Sequence, residues 1–227
     1  MATPVLDLQG SQASGASTTA TVTVVGAAAG STIMFAVGIL ADRTITAVSD
    51  GGVGITWNQR AYNGTQTSRE IYLYEGYYAA GGNVTVSVTI SGAGSPSWVT
   101  NWASFTGVSS TSPFDVSDTN DASGASSPAF CAQSGSIDTT TDVAVVCAMA
   151  TTSKDFTASS GFTRIGSGAT QMAFAYRTSA AALTDERGGF SWSTGTILYG
   201  GAIASWKADP PAAGGNAGQL LLLGCGA

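Results

Sequence analysis

Ser97-Trp98-Val99-Thr100-Asn101-Trp102-Ala103-Ser104-Phe105 returns later in the chain as Leu198-Tyr199-Gly200-Gly201-Ala202-Ile203-Ala204-Ser205-Trp206. A self-match at long spacing marks a repeated structural unit. Upstream of the first copy lies the apolar run Ile33 to Ile39, and upstream of the second lies Val143 to Met149. Between run and copy, Ile55-Thr56-Trp57-Asn58-Gln59-Arg60 corresponds to Gly161-Phe162-Thr163-Arg164. The correspondences come in the same order in both halves, which predicts the duplication of a half-domain.

Working outward, short runs rich in Val, Ile, Thr, Tyr and Trp are punctuated by Gly, Ser, Thr and Asn clusters, the signature of strands and turns. Val84, Val86, Val88 and Ile90 alternate with Thr85, Ser87 and Thr89, so one face of that strand is predicted buried and the other solvated. Ile33 to Leu40 and Val143 to Ala150 are apolar on both faces and belong in the middle of a sheet. No segment carries helical periodicity with caps. Predicted strands in the first half are 20–25, 33–40, a short one before Trp57, 69–77, 83–90 and 98–105. Their counterparts are 129–137, 143–150, a short one before Phe162, 170–177, 189–194 and 196–206. The expected fold is therefore all-β, an antiparallel two-sheet β-sandwich of jelly-roll type built from an internal duplication. Two smaller sandwiches joined around Gly107 to Pro128 are the alternative, and 227 residues suffice for either core. The expected organisation is an N-terminal arm over 1–16 and the sandwich over 17–209, with half-repeats about 17–108 and 127–209. A turn-rich loop spans 109–126, and a Pro/Gly linker with a flexible apolar C-terminal tail spans 210–227.

Charged residues make up 10% of the chain, against about 25% in ordinary soluble domains. So little charge suits a protein packed against neighbours, because dispersed charge is what keeps apolar patches from associating. A net charge of −6 with only two lysines, Lys154 and Lys207, argues against a nucleic-acid partner. Met1 to Asp7 shows neither the basic nor the apolar region of a secretory leader. The expectation is that a leader was removed or that the protein leaves its cell by lysis.

Histidine is absent, which removes Ser-His-Asp and Cys-His nucleophiles together with the commonest general base and zinc ligand. Glu70 and Glu75 lie five positions apart on one predicted strand, so they point to opposite faces and cannot flank a glycosidic bond. No enzymatic activity and no cofactor are expected. Asp115, Asp118 and Asp121, with Asn120 between them, supply the oxygen donors that Ca²⁺ takes, or else a solvated turn whose side chains bond their own backbone. Trp57, Tyr62, Tyr72, Tyr74, Tyr77, Tyr78 and Trp98 crowd the first half, and of these Trp57, Tyr72 and Tyr74 are the candidates to stack on a glycan, or else the set fills the core or an interface. Asn63-Gly64-Thr65 and Asn83-Val84-Thr85 match the glycosylation sequon by chance. Cys131, Cys147 and Cys225 have no metal-ligand spacing; Cys147 packs as a small hydrophobe, and a Cys131 to Cys147 bridge is open. Leu220, Leu221, Leu222 and Leu223 are far too few to span a bilayer, so no membrane is expected. On their linker they form either an arm that docks on a neighbouring subunit or a folded-back terminus.

Thr56-Trp57 with Arg60, Glu70 to Tyr74, Val84 to Thr89, Ser104 to Val108 and Ser112-Pro113-Phe114-Asp115 together resemble a duplicated β-sandwich module. Such modules recur in tailed-phage virion proteins, both head decoration (cement) proteins and tail fibres, and in bacterial surface proteins. The resemblance covers most of 17–209 and carries no catalytic residues. It implies a bacteriophage virion structural protein, a capsid decoration protein that stabilises the head through subunit contacts. Its partners would be the major capsid protein or other virion proteins and further copies of itself as a homo-oligomer. Its location would be the virion surface, after synthesis in the host cytoplasm. A tail-fibre component or a carbohydrate-binding, adhesive surface module is the alternative.

Overall fold

A computed structural model of the chain describes residues 3–40, 43–64, 69–133 and 137–208. Among these the protein is all-β, with antiparallel strands and no helix. The first half contributes β1 (Val5–Gln9), β2 (Ala13–Ala16), β3 (Thr19–Ala27), β4 (Ser31–Ile39), β5 (Ile45–Ser49), β6 (Trp57–Asn63), β7 (Glu70–Tyr78), β8 (Gly82–Ile90) and β9 (Ser97–Thr106). The second contributes β10 (Phe114–Ala125), β11 (Ala129–Phe130), β12 (Val143–Asp155), β13 (Thr157–Ala158), β14 (Thr163–Arg164), β15 (Ala169–Ser179), β16 (Gly189–Ser191) and β17 (Ile197–Lys207).

Each half pairs its strands in one order. The large sheets run β1-β9-β4-β7-β6 and β10-β17-β12-β15-β14, and the small ones β3-β8-β5 and β11-β16-β13. Strand for strand the two halves match, with β2 as an addition that extends β1 along β9. Pairing also refines the correspondence between halves. Phe105 lies opposite Thr32, whereas Trp206 lies opposite Ala144, so equating Phe105 with Trp206 moves the β4 to β12 alignment two residues from the one read in the sequence. An even slip keeps every side chain on its face.

Three apolar layers separate the four sheets. The side chains of Phe35, Val37, Tyr72, Tyr74, Trp98 and Trp102 meet the β3-β8-β5 sheet through Val22, Val86 and Val88. Val145, Cys147, Met149, Tyr199 and Ile203 meet the β11-β16-β13 sheet through Phe190 and Trp192. Between the large sheets, Met34, Ala36, Leu73, Ala103 and Phe105 pack on Ala144, Ala148, Ala150, Phe174 and Trp206. The halves are thus stacked large sheet to large sheet. That is why every residue of β4 is buried and why its sequence is apolar on both faces. Small residues set the spacing of this seam: a Cβ on Gly38 would lie 2.7 Å from the Ala150 Cβ and 2.9 Å from Val99 Cγ1. A side chain on Gly200 would likewise collide with the Arg69 carbonyl across the seam.

Two sequence expectations need correction. Residues 114–125, inside the expected 109–126 loop, form the twelve-residue strand β10. Its Asp, Ser, Asn and Gly residues are turn formers in isolation, but pairing with β17 over Phe114 to Ala125 holds the backbone extended. The expected N-terminal arm, 1–16, contains β1 and β2, which pair with β9. The two halves that share a strand order therefore begin earlier than 17 and 127, at β1 and at β10. The alternation in β8 is as expected, with Val84, Val86, Val88 and Ile90 buried and Thr85 and Thr89 exposed. Residues 209–227, including Leu220 to Leu223 and Cys225, lie outside the described residues.

Candidate functional site

The aromatics expected to stack on a glycan lie inside the protein. Tyr72 and Tyr74 are buried in the outer layer of the first half, and Trp57 packs against that layer. Their faces are taken: Tyr74 stacks on Phe35 at 5.1 Å, Tyr62 on Tyr72 at 4.5 Å, and Trp57 meets Phe35 edge-on at 5.0 Å. Burial lifts the Tyr72 and Tyr74 hydroxyls above their ordinary range. The glycan platform built on these three residues is corrected to core packing.

Asp115, Asp118 and Asp121 stand along β10 rather than around a loop, roughly 10 Å apart in succession at about 3.3 Å per residue. Each carboxylate serves a different partner. Asp115 accepts from the Thr140 backbone N–H at 2.9 Å, Asp118 from the Gln133 N–H at 3.0 Å, and Asp121 from the Asn63 amide across the seam at 3.3 Å. No group of three such side chains able to hold a metal ion occurs among the described residues. The calcium set is not brought together, because the strand spreads what a loop would have gathered.

Cys131 and Cys147 are both buried free thiols in the outer layer of the second half. Burial pushes the Cys147 thiol well above its ordinary value, and the neighbouring Cys131 thiol adds to the effect.

Glu70 and Glu75 do face opposite sides of β7. Glu70 accepts from the Tyr72 hydroxyl at 3.1 Å, while Glu75 reaches into the seam between the halves. There it takes a salt bridge from Arg60 on β6 and the indole N–H of Trp206 on β17. Arg60 in turn lies over the Phe114 ring of β10 at 4.9 Å. One buried carboxylate therefore joins β6 and β7 of the first half to β17 of the second, and the guanidinium adds β10. A charge taken out of water needs such pairing and hydrogen bonding to be tolerated.

Asn58 pairs directly with Glu75 across the β6 to β7 ladder, and Tyr77 follows on the same face of β7. Beside this cluster these strands, with the connecting residues Ser110, Thr111 and Pro113, border a cavity of about 430 Å³. Thr56, Asn58, Arg60, Glu75 and Tyr77 line it. Sequence reasoning weighed Glu75 only as one of a catalytic carboxylate pair and did not raise Asn58 as a site residue. The available signal was a carboxylate within an otherwise apolar strand, in a chain with so few charges.

A second candidate surface is the outer face of the β3-β8-β5 sheet. Thr19 stands opposite Thr89, Thr21 opposite Ser87 and Thr23 opposite Thr85. This two-strand array carries hydroxyls and no charge, and Val25 continues it, 61% exposed.

The chain matches no protein-family model, no curated protein and no solved structure. No described helix is long and apolar enough to cross a membrane.

Proposed function

We propose that the protein is a non-enzymatic bacteriophage virion component, a capsid decoration or cement protein on the particle surface, and that its halves arose by internal duplication of a jelly-roll-type sandwich. The matched strand orders support the duplication. So do the matched faces: Trp98 and Trp102 point outward in the first half as Tyr199 and Ile203 do in the second, while Phe105 and Trp206 both point into the seam. Eight strands in two sheets per repeat fit a jelly roll.

The observation that carries the functional reading is the uncharged hydroxyl face of β3 and β8 on a four-layer body. Such a body resists deformation, because close-packed interiors are barely compressible. An uncharged face can be covered by a capsomer or another copy of the chain without stranding a buried charge. Partners of this kind, the major capsid protein and a homo-oligomer, fit the sequence resemblance to phage virion modules. Many weak contacts per particle then add up through multivalency. The absence of histidine and the placement of Glu70 and Glu75 on opposite faces support a role without bond chemistry.

Cosedimentation of the purified protein with capsids lacking it tests the proposal. Saturable binding that Thr21→Lys together with Thr85→Lys abolishes is the expected result. Protein that stays in the supernatant at micromolar concentration overturns it.

A further inference from the structure

We propose that the cavity beside the Glu75, Arg60 and Trp206 cluster is a binding site for a neutral saccharide. Its volume, about 430 Å³, falls in the range of small-ligand pockets, roughly 300–1,000 Å³. The wall chemistry decides the ligand class. The Asn58 amide, the Thr56 hydroxyl and the Tyr77 hydroxyl make no hydrogen bond to any described residue, and all three residues line the cavity. They offer both donors and acceptors, which is what a ring of vicinal hydroxyls requires.

Tyr77 is 37% exposed. It gives the cavity an aromatic wall for the C–H face of a sugar, whereas Tyr72 and Tyr74 have theirs covered by other rings. Aromatic rings with a polar tip suit surfaces that are apolar at one end and wet at the other.

Charge discriminates further. Arg60 is the cation lining the cavity; its charge is matched through Nη2 by Glu75, while its buried Nε–H has no partner among the described residues and is a donor that a sugar hydroxyl can accept from. The Glu75 side chain is 2% exposed and that of Arg60 24%, so the edge that meets a ligand belongs to a neutralised pair. An anionic sugar would have to compete with a carboxylate that is already in place, on a protein of net charge −6. A neutral polyol needs only hydrogen bonds to the rim. The site does not depend on the capsid proposal, since it lies on the large sheet and not on the β3-β8 face.

The test is an amide NMR titration of the full chain with methyl glucoside, methyl galactoside and N-acetylglucosamine, each to about 20 mM, a range that detects millimolar affinity, with glucuronate as the anionic comparison. The expected result is saturable shifts around Asn58, Thr56 and Tyr77 with at least one neutral probe, weakened tenfold or more by Asn58→Ala and by Tyr77→Ala. Both side chains lack internal bonds, so the variants keep the fold, which their amide spectra verify. Shifts that never saturate, shifts that map elsewhere, undiminished binding in both variants, or a preference for glucuronate would each overturn the proposal.

Discussion

Replacing Trp206 by phenylalanine probes the seam at its most connected side chain. Trp206 is fully buried and packs in the central layer with Phe105 and Phe174, while its indole N–H donates to Glu75. Phenylalanine keeps one ring and loses two buried carbons, worth about 0.8 kcal/mol each and so roughly 1.6 kcal/mol. It also loses a hydrogen bond to a carboxylate, for which about 1.5–3 kcal/mol is typical. The lower end applies here, because Arg60 still serves Glu75. The sum is about 3 kcal/mol. At about 2–4 °C per kcal/mol for a chain of this size, the melting temperature should fall by roughly 6–12 °C. Chemical denaturation of the wild type, Trp206→Phe, Glu75→Gln and the double variant gives the assay. Because the two groups touch, the double variant should lose at least about 0.5 kcal/mol less than the sum of the single losses. A Trp206→Phe variant within about 1 kcal/mol of wild type, or strictly additive losses, would refute the claim that this contact ties the halves together.

Gly38→Val should overpack the seam, since Ala150 and Val99 are short side chains on paired strands and cannot swing aside. The expected cost is about 1–3 kcal/mol, measured by urea denaturation, whereas Thr21→Val on the solvated face should stay within about 0.5 kcal/mol. Asp50 accepts from the Ile55 N–H at 2.5 Å and from Gly52 at 2.9 Å, and these bonds hold its carboxyl below the ordinary 3.8. With the folded value below the unfolded one, its contribution is present above pH of about 4 and is lost as pH falls through the folded pKa. The melting temperatures of wild type and Asp50→Asn should therefore converge as acid is added, and a constant gap would contradict the assignment. Cys131 and Cys147 are fully buried and the Cys147 thiol is held protonated by burial. Site-resolved mass spectrometry should find both unalkylated by iodoacetamide in the native protein at mildly alkaline pH and both modified after denaturation.

The alternation in β8 was legible because the two-residue period of a strand's side chains is a local property of the chain. The stacking of the halves was written less plainly. Ile33 to Leu40 and Val143 to Ala150 signalled burial on both faces, but one sheet inside a single large sandwich and two large sheets back to back leave the same apolar run. What separates them is the small-residue lining, Ala36, Gly38, Ala148 and Ala150, which only the close approach of two sheets requires. β10 was illegible for a different reason: its Asp, Asn and Gly residues disfavour a strand locally, and only its partner β17 overrides them. Correcting that loop to a strand also disperses Asp115, Asp118 and Asp121. For the aromatics, identity was readable and burial was not, so Tyr77, which lines the cavity, stood undistinguished among the first-half aromatics beside Trp57, Tyr72 and Tyr74, which the core takes up. The part of the site made by Glu75, Arg60 and Trp206 joins residues far apart in sequence, and no spacing rule announces it.

Electron cryo-microscopy of phage particles assembled with and without this chain bears most directly on the proposal that it is a scaffold laid against a shell. Added density of matching size, repeated at symmetry-related positions on the head and contacting capsomers through the β3-β8 face, is the expected result. Identical maps from the two preparations would contradict it.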